Sequence, residues 1–141
     1  MQAIRLKTEH LFDPIGVDFT APRLFWNCEG GKKQTAYQIV AADDSGSVLW
    51  DSGRVESAAM FVRWNGAPVP PKTKVLWNVR LWDENGNSGD WAEASFETGI
   101  NTWRAKWITG NYRVNKKQRY PVDCFRKAFH AADVKKARLY I

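Results

Sequence analysis

Val75-Leu-Trp-Asn-Val-Arg-Leu-Trp82, then Asp83-Glu-Asn-Gly-Asn-Ser-Gly89, then Ala92-Glu-Ala-Ser-Phe-Glu-Thr98 decide the fold. The first run alternates: Val75, Trp77, Val79 and Leu81 fall on one face, and Leu76, Asn78, Arg80 and Trp82 on the other. A period of two belongs to a strand with one buried face, and β-branched and aromatic residues suit that pleated surface. Asn85-Gly86 supplies the positive backbone dihedrals that a tight hairpin needs, so Ala92–Thr98 is the return strand.

The same alternation extends upstream. Leu24-Phe-Trp-Asn-Cys28 places Leu24, Trp26 and Cys28 on one face, and Thr35–Ala42 does so with Tyr37, Ile39 and Ala41. Val48–Trp50, Ala59–Trp64 and Ile4–Thr8 complete the set, separated by Gly30-Gly31, Asp43-Asp-Ser-Gly46, Asp51-Ser-Gly53 and Asn65-Gly66. Pro68, Pro70 and Pro71 exclude a ladder strand just before Val75. About seven short strands at this spacing predict an all-β, antiparallel immunoglobulin or fibronectin type III-like sandwich over residues 1–100. Trp26, Tyr37 and Trp77 are expected to fill the gap between its sheets.

Residues 101–141 read differently. Asn101–Ile108 is a junction, 111–120 is polar and basic, and Val122–Ala131 and Ala137–Ile141 are strand-like. Ala137, Leu139 and Ile141 share a face with no strand to cover it, which predicts an incomplete second β domain.

Charge divides along the same line. The net charge of +6 comprises −3 in residues 1–100 and +9 in residues 101–141. The basic residues of the second part alternate with apolar ones and no recognised nucleic-acid motif accompanies them, so nucleic acid is not expected as a partner. No apolar run approaches the ~20 residues of a membrane helix, and the first ten residues hold no signal-like stretch. Cys28 and Cys124, with no zinc spacing, are expected as two buried thiols, which favours a cytoplasmic setting.

Seven pieces in order carry a resemblance: Pro22-Arg-Leu-Phe-Trp26, Gln34-Thr-Ala-Tyr-Gln-Ile39, Leu49-Trp-Asp-Ser-Gly53, Trp77-Asn-Val-Arg-Leu-Trp-Asp83, Asp90-Trp91, Phe96-Glu-Thr-Gly99 and Ala105-Lys-Trp-Ile108. Together they resemble the N-terminal region of bacterial α-L-rhamnosidases, glycoside hydrolase family 78. The resemblance implies a fibronectin type III-like sandwich, then the first strands of a lectin-like β-sandwich, with Phe125–Phe129 and Val134–Ile141 similar to its opening. It implies a non-catalytic accessory region that supports or orients a catalytic domain absent from this chain. The alternative is an autonomous carbohydrate- or protein-binding module. The implied partners are the remaining domains of the parent glycosidase and rhamnose-containing glycans. In the family, catalysis belongs to a later (α/α) barrel, so no catalytic residue is carried over. One departure stands out: Val75 takes the place of the tyrosine whose hydroxyl ties the corner before the long strand in type III domains.

No cofactor or metal ligand set is expected. Asp43-Asp44 and Asp83-Glu84 flank turns, where carboxylates bond nearby backbone. His10 and His130 lack a nucleophile partner, Ser52 sits in a turn signal, and Gly30-Gly31-Lys32-Lys33 lacks phosphate-loop spacing. The candidate contact residues are tryptophans. Trp64, Trp82 and Trp91 are expected outward, open to a sugar's apolar face or to a neighbouring domain. Trp103 and Trp107 are expected to lock the junction.

Overall fold

The computed structural model describes every residue except Lys136, Tyr140 and Ile141. The chain divides into two units, Met1–Trp103 and Arg104–Ile141. Nine strands lie in the first: β1 (Gln2–Thr8), β2 (Ile15–Val17), β3 (Arg23–Glu29), β4 (Ala36–Asp43), β5 (Val48–Asp51), β6 (Val55–Glu56), β7 (Phe61–Arg63), β8 (Lys74–Trp82) and β9 (Ala92–Thr98). Among the described residues there is no helix.

The strands form two sheets. One has the order β1-β3-β7; the other has β2-β9-β8-β4-β5, with β6 also on β4. All pairings are antiparallel except β2 on β9. Strand β8 is central, and each of Val75, Trp77, Val79 and Leu81 is fully buried, as their alternation predicts. Leu24 and Trp26 of β3 and Tyr37, Ile39 and Ala41 of β4 join them, with Ala3, Leu6 and Phe96. Trp26 meets Tyr37 across the gap at 5.2 Å between ring centroids. Burial at about 25 cal/mol per Å² makes these large rings the main favourable contribution to folding. Among the described residues the buried indole N–H of Trp77 has no partner, and such an orphaned donor costs about 1–3 kcal/mol.

Gln34, buried just ahead of β4, links the sheets. Its Oε1 accepts from Trp26 Nε1 at 2.9 Å and from Cys28 Sγ at 3.3 Å. Its Nε2 donates to the carbonyls of Ser57 and Ala59, each at 2.9 Å. The corner before β8, which lacks its tyrosine, is tied instead by Thr98. The Thr98 hydroxyl donates to Pro70 O at 2.6 Å and accepts from Thr73 N at 2.9 Å.

Strand β1 carries a bulge. Ile4 faces Asn27 and Lys7 faces Phe25, so Arg5 and Leu6 together oppose Trp26. Arg5 takes a positive φ of 51°, the conformation at which a bulge turns the chain. The extra residue keeps Ala3, Leu6 and Thr8 inward and leaves Ile4, Arg5 and Lys7 on the other side.

In the second unit, Val122–Ala131 and Ala137–Ile141 were expected as strands; the described residues from 104 onward lie in none. Alternation marks a segment able to form a strand, but a strand exists only where another backbone completes its ladder. The reading at Ile141 falls outside the described residues. The order that exists is local: the Tyr112 and Tyr120 rings stack at 4.8 Å, and the Asp123 carboxylate accepts from Gly110 N and the Tyr112 hydroxyl. Cys28 is half-buried and Cys124 is exposed, so the expectation of two buried thiols fails at Cys124, whose segment has no layer over it.

Candidate functional site

The candidate tryptophans have different surroundings. Trp64 is buried, correcting its outward placement. It shares strand parity with the inward Val62, stacks edge-on with Phe96 at 5.7 Å and Trp50 at 5.3 Å, and donates from Nε1 to Ala67 O at 2.9 Å. The chain passes so close above that a Cβ at Gly66 would lie 2.5 Å from Trp50 Cβ. Trp82 keeps the outward register, opposite Ala36, yet only 7% of it is exposed. Its ring is covered by the guanidinium groups of Arg54 and Arg80, each 4.9 Å from the ring centre. Trp91 is open: 41% exposed, with Arg80 4.7 Å from its ring centre. Trp103, in the first unit, and Trp107, in the second, are both exposed.

Around Trp82 the polar groups satisfy one another. Arg80 donates to Gln38 Oε1 at 2.8 Å, Gln38 donates to Asp51 at 2.8 Å, and Arg54 pairs with Glu56 at 2.8 Å. The Gln38 bond, then the Gly53 amide, holds the Asp51 carboxyl below the usual range.

Asp43 and Asp83 are committed to turns. Asp43 accepts from the Ser45 hydroxyl and the amides of Ser45 and Ser47, and Asp83 from the amides of Asn85 and Asn87. Those bonds hold both carboxyls low. Glu84 accepts from the amides of Lys32 and Lys33 at 3.0 and 3.2 Å, so the chain's own carboxylate fills the anion seat of the Gly30–Lys33 loop. Ser52 Oγ accepts from Ile39 N and donates to Gly53 O, a backbone-completing role. Among the described residues, no group of three or more His, Cys, Asp or Glu could hold a metal ion, and no helix is long and apolar enough to cross a membrane.

A second face escaped the sequence reading. On the outer side of β1-β3-β7, Arg5, Lys7, His10, Phe25, Asn27 and Phe61 line a groove of about 540 Å³. Glu9 and His10 both have positive φ, 48° and 68°, between Thr8 and Leu11, whose amides and carbonyls bond reciprocally. That is the arrangement of a type I′ turn, strained when neither central residue is glycine. The turn sets His10 against Phe25 at 4.3 Å, and Phe25 stacks on Phe61 at 5.8 Å. It also aims Glu9 at Arg23, with contacts of 2.7 and 3.0 Å to the guanidinium and 2.6 Å to the amide. The side-chain bond from Arg23 is the main reason the Glu9 carboxyl sits below the usual range. The visible signal for this face was Phe25, an aromatic on the side opposite Leu24 and Trp26.

Residues 3–102 match the Rha78A-like, N-terminal immunoglobulin domain family. An α-L-rhamnosidase of Streptomyces avermitilis is 36% identical over 77% of this chain and 12% of its own length. One from Formosa agariphila is 31% identical over 95% of this chain and 17% of its own. Among solved structures, the α-L-rhamnosidase from Dictyoglumus thermophilum superposes with a TM-score of 0.71 at 32% identity, over 77% of this chain and 14% of that one. The chain thus spans about one-eighth to one-sixth of the length of these curated relatives.

Proposed function

The chain belongs to the family of Rha78A-like N-terminal immunoglobulin domains, and from that membership we propose that it is the non-catalytic N-terminal accessory region of an α-L-rhamnosidase, supporting or orienting a catalytic domain outside this chain. The observation that carries this reading is that residues 3–102 match an N-terminal domain family while the chain spans only 12% and 17% of the length of two α-L-rhamnosidases it resembles. An inverting glycosidase needs an acid and a base about 6.5–9.5 Å apart across a sugar-sized cleft, with the acid's pKa raised so that it stays protonated. Here Asp43, Asp51 and Asp83 are bonded within turns and edges, and their shifts run downward.

Residues 104–141 are then the opening of a second β domain that gains its ladder partners from further polypeptide. Similarity over 95% of the chain to a longer relative supports this, as do the exposed side chains of Trp107, Ile108, Val122 and Phe129. Trp91, Trp103 and Trp107 serve as contacts to neighbouring domains of the same protein. Rhamnose-containing glycans are substrates of the whole enzyme, not of this part.

The test is hydrolysis of an aryl α-L-rhamnoside by the purified chain. No product release above the uncatalysed rate is expected. Turnover that disappears when a carboxylate within residues 1–141 is substituted would refute the accessory role.

A further inference from the structure

We propose that the groove on the outer face of the β1-β3-β7 sheet binds an acidic saccharide, a chain bearing uronate carboxylates, independently of any role in hydrolysis. Three observations point there. The first is charge. The ionisable residues lining the groove are Arg5, Lys7 and His10, with no carboxylate among the lining. Among the described residues neither Arg5 nor Lys7 forms an ion pair, Lys7 lying only over the Phe12 ring at 4.8 Å, whereas Arg23 and Arg54 do. Two cations without counter-ions beside low-dielectric rings favour an anion.

The second is the ring surface. Phe61 and Met60 are each 51% exposed, and the row His10–Phe25–Phe61 runs across the floor. A pyranose has apolar C–H surface that packs on rings, and hydroxyls that Asn27, exposed in the same groove, can bond. The volume of about 540 Å³ suits a small ligand.

The third is where the backbone departs from ease. Arg5, Glu9, His10 and Asp13 all have positive φ. Four such residues within one stretch of nine is a concentration of strain, and strained backbone gathers where it positions functional groups. The bulge is what puts Arg5 on this face.

The probe is trigalacturonate, titrated into the isotope-labelled full chain and followed by amide shifts, with maltotriose as the neutral control and hexaglutamate as the acidic-peptide control. Saturable shifts centred on Asn27 and Phe61 are expected for trigalacturonate alone. They should weaken as salt rises, because the screening length falls from ~30 Å at 0.01 M to ~8 Å at 0.15 M. Lys7→Gln should weaken binding about fivefold or more and Lys7→Arg should restore it. Arg5→Asn, which tolerates positive φ, should weaken it similarly. If that variant does not fold, the Lys7 pair still decides. No saturable shift, an equal response to maltotriose, or undiminished binding by Lys7→Gln overturns the proposal. Tighter binding of hexaglutamate at the same face overturns it in favour of an acidic protein partner.

Discussion

The two sheets treat their outer faces in opposite ways. On the β4–β8 side the groups around Trp82 are linked to one another: Arg80 donates to Gln38, Gln38 to Asp51, and Arg54 pairs with Glu56. Even a tryptophan in the outward register is covered by guanidinium groups. On the β1-β3-β7 side Arg23 pairs with Glu9 at the margin, but among the described residues Arg5 and Lys7 form no ion pair, Lys7 lying only over the Phe12 ring, and Phe61 and Met60 stand half-exposed. A face that satisfies itself gains little from a partner; a face left open is one that a partner can stabilise.

The largest expected effect tests whether the sheets act as one body. Gln34→Ala removes the bonds to Ser57 and Ala59 and orphans the Trp26 indole N–H. Destabilisation of about 3 kcal/mol is expected in urea titration; a loss below about 1 kcal/mol would mean that the sheets are held by apolar packing alone. Next comes acid sensitivity at the margin of the open face. Because the Glu9 carboxyl is lowered in the folded state, its contribution is complete above the unfolded carboxyl value of about 4.3 and is lost as pH falls through the native one. Melting curves of wild type and Glu9→Gln should therefore differ at neutral pH and converge in acid. A gap that persists unchanged at pH 2 would contradict the pairing with Arg23.

A smaller effect probes the covered face. Arg80→Ala removes one of the two guanidinium groups over Trp82 and the one over Trp91, which should cost about 0.5–1 kcal/mol and shift indole emission to the red. Smallest is Lys7→Gln on the open face, where a change under about 0.5 kcal/mol is expected by thermal melting. A larger loss there would erase the contrast between the faces.

The hairpin of β8 and β9 was legible from strict alternation, β-branched and aromatic residues, and Asn85-Gly86 at the bend, although only Gly86 of that pair takes a positive φ. Trp64 was legible in principle, since it shares parity with Val62. Trp82 was not, because its burial comes from the side chains of Arg54 and Arg80, one of them distant in sequence. The Thr98 hydroxyl closes the corner across 25 to 28 positions, beyond the reach of a local motif. Strands β2 and β6 are too short for any period to register. The open groove depends on a bulge and a strained turn, which alternation does not encode. In residues 104–141 the alternation is present, but the backbone partner that would make it a strand is not part of that pattern.

The extra residue in β1 has one more implication. With Arg5 excised, Ala3, Leu6 and Thr8 would still alternate with Ile4 and Lys7 against an uninterrupted ladder. The core therefore has no use for this position, and a shortened polypeptide should fold at least as readily. The melting temperature of a chain with Arg5 deleted would therefore report whether the extra residue serves the hydrophobic interior at all.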